Sequence, residues 1–300
     1  MDTPYGWPDY LFVAWMVAIA LAGAWYLFQG VAHPGTDRPR GADHPAFSAF
    51  LSLMPMMVFF GCMGVAAVIA GKCMSQLGGQ SILAQGLASL VGQGGTILVM
   101  LWLTRFIPGS VRWAPTADEP ASPPPLDGAD EIRGALQAFK VRTALQAFLA
   151  LMTLTIVAGL LWKGFYFFCE QNGQTIPDDP QGLVQQVAGY DWSGPWRPML
   201  VLALAITVGA PIAEELVFRG MLYPSLKGWL PRGYAVVLTG VVFGAIHGNL
   251  ASFLPLATLG SVLCLYRDRY GLLTCMTLHL LANLTTFFWL CFAPNAAMQS

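Results

Sequence analysis

Long apolar runs separated by short polar breaks make up most of the chain. A hydrocarbon core needs about 20 apolar residues per helix, with roughly 17 to 25 tolerated. On that measure the pattern predicts helices near 10–29, 46–71, 82–107, 143–168, 198–213, 234–249, 251–266 and 271–292. The expected fold is therefore all-α, a polytopic membrane bundle of about eight helices. The fifth run is short before two adjacent glutamates and is predicted to continue through them. Only "HGNLA" divides the sixth from the seventh.

Composition agrees with this pattern. The 300 residues are 56% hydrophobic and 10% charged, with a mean hydropathy of +0.58, far outside the range of an ordinary soluble domain. A formal net charge of -1 leaves no basic surplus for nucleic acid, so the expected partners are the lipid bilayer and a membrane-embedded or lipidated peptide. With the N-terminus outside, Arg38, Arg40, Arg105, Arg112, Arg133, Lys140, Arg142, Lys227, Arg232, Arg267 and Arg269 all fall on the cytoplasmic side, which the positive-inside rule favours. Lys72 and Arg197 fall outside, and both termini are expected there. Short loops and no retrieval signal fit a bacterial plasma membrane.

The N-terminal "MDTPYGWPDY" lacks a basic n-region and leads into an apolar stretch, so it reads as the start of a retained first span. Residues 1–107 form an expected three-helix membrane scaffold. Residues 108–131, within "PGSVRWAPTADEPASPPPLDGADE", form a Pro-rich cytoplasmic linker too poor in apolar surface to offset chain ordering. A fourth helix and outer loop occupy 132–195, a core carrying the unusual polar groups occupies 196–292, and 293–300 is a tail. Gln85 and Gln93 in the third span read as helix-packing contacts beside several glycines. The six cysteines include no C-x-x-C pair; Cys73 and Cys169 fall near outer ends, where either a disulfide or two thiols would fit.

Ionisable groups at membrane depth cost several kcal/mol unless they face a partner or a wet cavity. "APIAEELVFRGMLY" carries three of them. Glu214 and Glu215 are neighbours and point about 100° apart around a helix. Glu215 and Arg219 stand at i and i+4 with the acid first, the favourable ion-pair order, whereas Glu214 has no such partner nearby in sequence. His247 in "FGAIHGN" and His279 in "LHLLANL" lie in apolar surroundings, and the pairs Phe243/His247 and His279/Asn283 each share a helix face. Convergence on one cavity is the most economical way to satisfy all of these groups.

Such a cavity suits hydrolysis. A carboxylate at Glu214 could activate water, an imidazole could hold that water or donate to a leaving amine, and an asparagine amide could stabilise an oxyanion. Glu214, His247 and His279 could instead form a three-ligand zinc set. In that case Glu214 would not readily act as ligand and base together, and the metal-free scheme, with no cofactor, is preferred.

The segments "EELVFR" (Glu214 to Arg219), "FGAIH" (Phe243 to His247) and "HLLAN" (His279 to Asn283) resemble, in order and spacing, the three motifs of the CAAX protease and bacteriocin-processing family of intramembrane peptidases. This family, also called the abortive-infection family, includes the type II CAAX prenyl endopeptidases. The resemblance covers roughly residues 196–292. It implies a conical intramembrane cavity in which Glu214 activates water with help from His247. His279 and Asn283 would then polarise the scissile carbonyl and form the oxyanion site, while Glu215, Arg219 and Phe243 support the site. Type II CAAX endopeptidases remove three residues after a prenylated cysteine, but relatives cleave unprenylated peptides or act in bacteriocin immunity and signalling. The alternatives to a peptidase are a non-catalytic membrane scaffold or regulator of the same fold and, further off, a transporter or proton relay.

Overall fold

The computed structural model of the chain describes residues 57, 59–65, 68, 82–106, 139, 141–174, 182–228 and 230–292. The first expected span, the Pro-rich linker and the tail lie outside these residues, as does Cys73; Cys169 is buried and free. Among the described residues the fold is all-helical: α1 (Ile82–Phe106), α2 (Val141–Gln171), α3 (Gly182–Ala188), α4 (Trp196–Lys227), α5 (Arg232–Ala245), α6 (Phe253–Tyr270) and α7 (Leu272–Phe292). From the second expected span, residues 59–65 are helical and Phe59 enters the central core.

Among the described residues, four helical stretches are long and apolar enough to cross a membrane: Ile82–Trp102, Val141–Gln171, Trp196–Lys227 and Leu272–Cys291. This is an integral membrane protein. Much of α2 keeps large apolar side chains exposed, as a lipid-facing helix does; Leu160 and Leu161 are examples.

The predicted sixth and seventh spans differ from what is observed. α5 has 14 residues and ends at Ala245, not at 249. At 1.5 Å per residue it extends roughly 21 Å, short of a hydrocarbon core about 30 Å thick. The helix stops because Gly248 takes a left-handed backbone with φ +62 and because the Asn249 side-chain oxygen accepts the Ser252 N–H at 2.7 Å. α6 runs on to Tyr270 because Arg267 and Asp268 are buried rather than solvated. The Asp268 carboxylate accepts hydrogen bonds from the Tyr223 hydroxyl at 2.8 Å, Lys227 Nζ at 2.7 Å and Arg232 Nε at 2.9 Å. One acid thus ties the end of α6 to the end of α4 and the start of α5.

α4 passes through both glutamates, as expected, but it is not a uniform α-helix. Two π-helical stretches interrupt it, Ala205–Gly209 and Leu216–Leu222. Each ends two residues before a proline, Pro211 and Pro224. A proline ring cannot donate to the ladder and clashes with the carbonyl four residues back, so a widened turn just ahead of it relieves the conflict.

Close crossings fix the directions of the helices. A side chain added at Gly86 would lie 2.9 Å from Leu202 N, and one at Gly209 would collide with the Gln93 amide oxygen. Both contact positions advance by seven residues, from 86 to 93 and from 202 to 209, so α1 and α4 run parallel. Two helices separated in sequence by one other helix long enough to cross the membrane, α2, are expected to do so. Gln93 is a packing residue at this crossing, as its sequence context implied, and is buried.

α5 and α6 meet even more closely. A Cβ at Gly240 would stand 2.9 Å from Ser261 N, and one at Gly260 would stand 2.9 Å from Gly240 Cα. We predict that Gly240→Ala destabilises the protein by ~1–3 kcal/mol through forced separation of the two helices. Thermal unfolding in detergent measures this, and an unchanged midpoint would contradict the packing described.

Candidate active site

The central core packs α4, α5, α6 and α7 together through Phe218, Phe243, Leu263, Leu278 and Ala282, among others. The polar groups singled out from the sequence sit within that apolar setting. The two neighbouring glutamates have separate surroundings: the Glu215 side chain is 0% exposed, whereas that of Glu214 is 12% exposed.

Glu215 is the junction of the site. Its Oε1 accepts from Arg219 Nη1 at 2.7 Å, one helical turn further along α4. The same oxygen lies 2.8 Å from His279 Nδ1 of α7. Arg219 is fully buried, and its Nη2 donates to the Gly260 carbonyl of α6 at 2.8 Å. Arginine keeps its charge in proteins, so a carboxylate at Glu215 is balanced by it, and a carboxylate oxygen can only accept. His279 therefore carries its proton on Nδ1, and its Nε2 edge is turned to Glu214, whose Oε2 is 3.8 Å away. That separation is too long for a direct hydrogen bond and suits a bridging group.

Phe243 forms the other side of the cluster. The Arg219 guanidinium lies 4.7 Å from its ring centre, a cation–π contact in a dry setting. Its ring also meets His279 edge-on at 5.7 Å and His247 at 5.0 Å. His247 stands in the turn just beyond α5, and its Nδ1 is hydrogen-bonded to the Phe243 carbonyl at 2.7 Å. Asn283, one turn beyond His279, donates from Nδ2 to the Ile206 carbonyl at 2.9 Å.

The Asn283 contact follows from the π-helical turn. In that turn the Ala210 N–H bonds the Ala205 carbonyl, five residues back. The next donor in register would be residue 211, with Ile206 as its acceptor, but Pro211 has no N–H. The Ile206 carbonyl is thereby left for Asn283. Sequence reasoning missed this link, and also Gly260 as an Arg219 acceptor, although Pro211 two residues before "AEE" was a visible signal.

All seven residues expected from the sequence are thus joined by direct contacts or through one helix turn: Glu214, Glu215, Arg219, Phe243, His247, His279 and Asn283. Among the described residues, no group of three or more His, Cys, Asp and Glu side chains is arranged to hold a metal ion.

Removing Arg219 would leave Glu215 charged, buried and without its counter-ion. We predict that Arg219→Ala costs ~3–5 kcal/mol of stability. Arg219→Lys should recover only part of it, since an ammonium lacks the fork that reaches both Glu215 and Gly260. Unfolding midpoints compared with that of the exposed-site variant Arg142→Ala would show this; equal shifts for Arg219→Ala and Arg142→Ala would contradict it.

Comparison with known proteins gives one family. Residues 195–285 match the family model described as type II CAAX prenyl endopeptidase Rce1-like. No curated protein and no solved structure matches the chain. The matched segment contains α4 to α6 and most of α7, and so every residue of the cluster described above. Residues 195–285 are thus similar to the Rce1-like type II CAAX prenyl endopeptidases, and the match supports the resemblance to the CAAX protease and bacteriocin-processing family read from the sequence.

Proposed function

We propose that the protein is an intramembrane endopeptidase that hydrolyses a peptide bond of a membrane-associated peptide near the cytoplasmic face, with Glu214 as the base that activates water. The observation that carries this reading is the division between the two glutamates. Glu215 is neutralised by Arg219 in the core, while Glu214 keeps access and faces the free edge of His279 at 3.8 Å. A purely structural pair would not need the second acid.

In the proposed reaction, water lies against Glu214, with His247 assisting. Glu214 takes a proton as the water oxygen bonds to the scissile carbonyl carbon. The carbonyl oxygen becomes an oxyanion, which His279 and Asn283 receive. His279 Nδ1 is committed to Glu215, so Nε2 is the ring atom turned to the reacting groups. Asn283 has a second amide N–H beyond the one given to Ile206. Collapse breaks the C–N bond, and the proton held by Glu214 passes to the leaving amine. Each step uses only side chains of this chain, and no metal is required. The family match makes a prenylated CAAX peptide the first substrate to try, and an unprenylated membrane peptide the second.

The test compares wild type, Glu214→Gln and Glu214→Ala on a farnesylated fluorogenic CAAX peptide and on an unprenylated membrane peptide, each with and without a zinc chelator. Both substitutions should lower the rate by at least ~100-fold, the scale of a lost general base. Wild-type cleavage should survive the chelator. Cleavage by Glu214→Gln at the wild-type rate would overturn the role of Glu214, and loss on chelation would favour a zinc site built from Glu214, His247 and His279.

A further inference from the structure

The family match begins at residue 195, yet α2, at Val141–Gln171, reaches the site from outside it. One point of contact is the turn that carries His247. α5 stops at Ala245, and the main chain through 246–252 makes no regular ladder. The His247 N–H reaches the Gly244 carbonyl only at 3.4 Å, and Gly248 turns the chain with a left-handed φ. At membrane depth, irregular backbone persists only where the protein supplies hydrogen-bond partners that water would otherwise supply.

Trp162 of α2 supplies one. Its Nε1 donates to the Leu250 carbonyl at 2.7 Å. That same carbonyl accepts the Phe253 N–H at 3.1 Å, the bond that opens α6. Leu250 is thus held between the α2 strut and the first turn of α6. The indole is itself fixed: it stacks on Phe165 at 5.1 Å and lies tilted against Phe253 at 6.1 Å. Indole N–H is a donor only, and in a half-buried apolar setting it needs an acceptor such as this one.

We propose that Trp162 is a positioning residue for His247, fixing the 246–252 turn through the Leu250 carbonyl, so that α2, outside the matched segment, contributes to the geometry of the site. The proposal rests on the peptidase reading for its effect on rate, but not for its effect on the turn. If the carbonyl is released, the turn between Gly248 and Ser252 loses its outer anchor, and the imidazole two residues before Asn249 moves with it. Displacements of about 1 Å in catalytic groups cost about 100-fold in the most sensitive cases.

The test places benzothienylalanine at position 162, which keeps the bicyclic shape and replaces N–H with sulfur, and 5-fluorotryptophan, which keeps the N–H. Trp162→Phe is the encoded variant that lacks the donor. Two readouts are taken: amide hydrogen exchange of residues 246–252, and kcat and KM on the farnesylated fluorogenic peptide. We expect both donor-less variants to exchange faster in that segment and to lose ~10-fold or more in kcat, with KM within about twofold. The 5-fluorotryptophan protein should match wild type in both readouts. Wild-type exchange and kcat with benzothienylalanine would overturn the proposal, as would a loss of activity that only tracks a lower unfolding midpoint. Absence of cleavage even by wild type would count against the peptidase reading alone; the exchange data would still decide whether Trp162 holds the turn.

Discussion

The Glu215–Arg219 ion pair is the constraint on which the rest of the site depends. Burying a carboxylate or a guanidinium alone costs several kcal/mol, and attraction between the two repays this only when geometry is good and the remaining donors are used. Here the donors are used. Arg219 gives one arm to Glu215 and another to Gly260, and its face to Phe243. Because Glu215 also meets His279, one pair on α4 holds α5, α6 and α7 at a fixed distance. The neighbouring acid is then free of structural duty, and chemistry can be assigned to it.

Backbone irregularity does the second part of the positioning. A regular helix through residues 196–227 would satisfy its own carbonyls and leave none for side chains of other helices. Pro211 and the π-helical turn before it expose the Ile206 carbonyl, and Asn283 takes it. Missing side chains at Gly240 and Gly260 let α5 and α6 approach until Gly260 can present its carbonyl to Arg219. Near the C-terminal end of α6, Asp268 gathers Tyr223, Lys227 and Arg232 and prevents α4 and α5 from splaying. The site is thus clamped at two points along α6, at mid-helix through Gly260 and near the C-terminal end through Asp268.

Much of this was legible in the sequence for simple reasons. Apolar length located α1, α2 and α7, since hydrocarbon thickness is a strict ruler. Helical spacing located the Glu215–Arg219 pair and the faces shared by Phe243 with His247 and His279 with Asn283. The positions that resisted were those where tertiary contact overrides length. α5 ends early because Gly248 and Asn249 cap it and other helices support the turn beyond. α6 runs long because Asp268 pays for the burial of its charged end with three donors, although "YRDRY" reads as a solvated terminus. Partnership between His279 and Glu215 could not be read at all, because they are 64 residues apart and nothing local links them. The role of α2 was equally hidden, since Trp162 in an apolar run looks like any lipid-facing aromatic.

The most direct test of the account is the protonation pattern of His279. Nitrogen-15 NMR of protein labelled at histidine, with the His279 signals assigned by their loss in His279→Asn, reports which ring nitrogen carries hydrogen. The account predicts a protonated, hydrogen-bonded Nδ1 in wild type, with Nε2 as the nitrogen that responds to changes at Glu214. An unprotonated Nδ1 would mean that Glu215 does not orient the ring, and the division of labour between the two glutamates would fail with it.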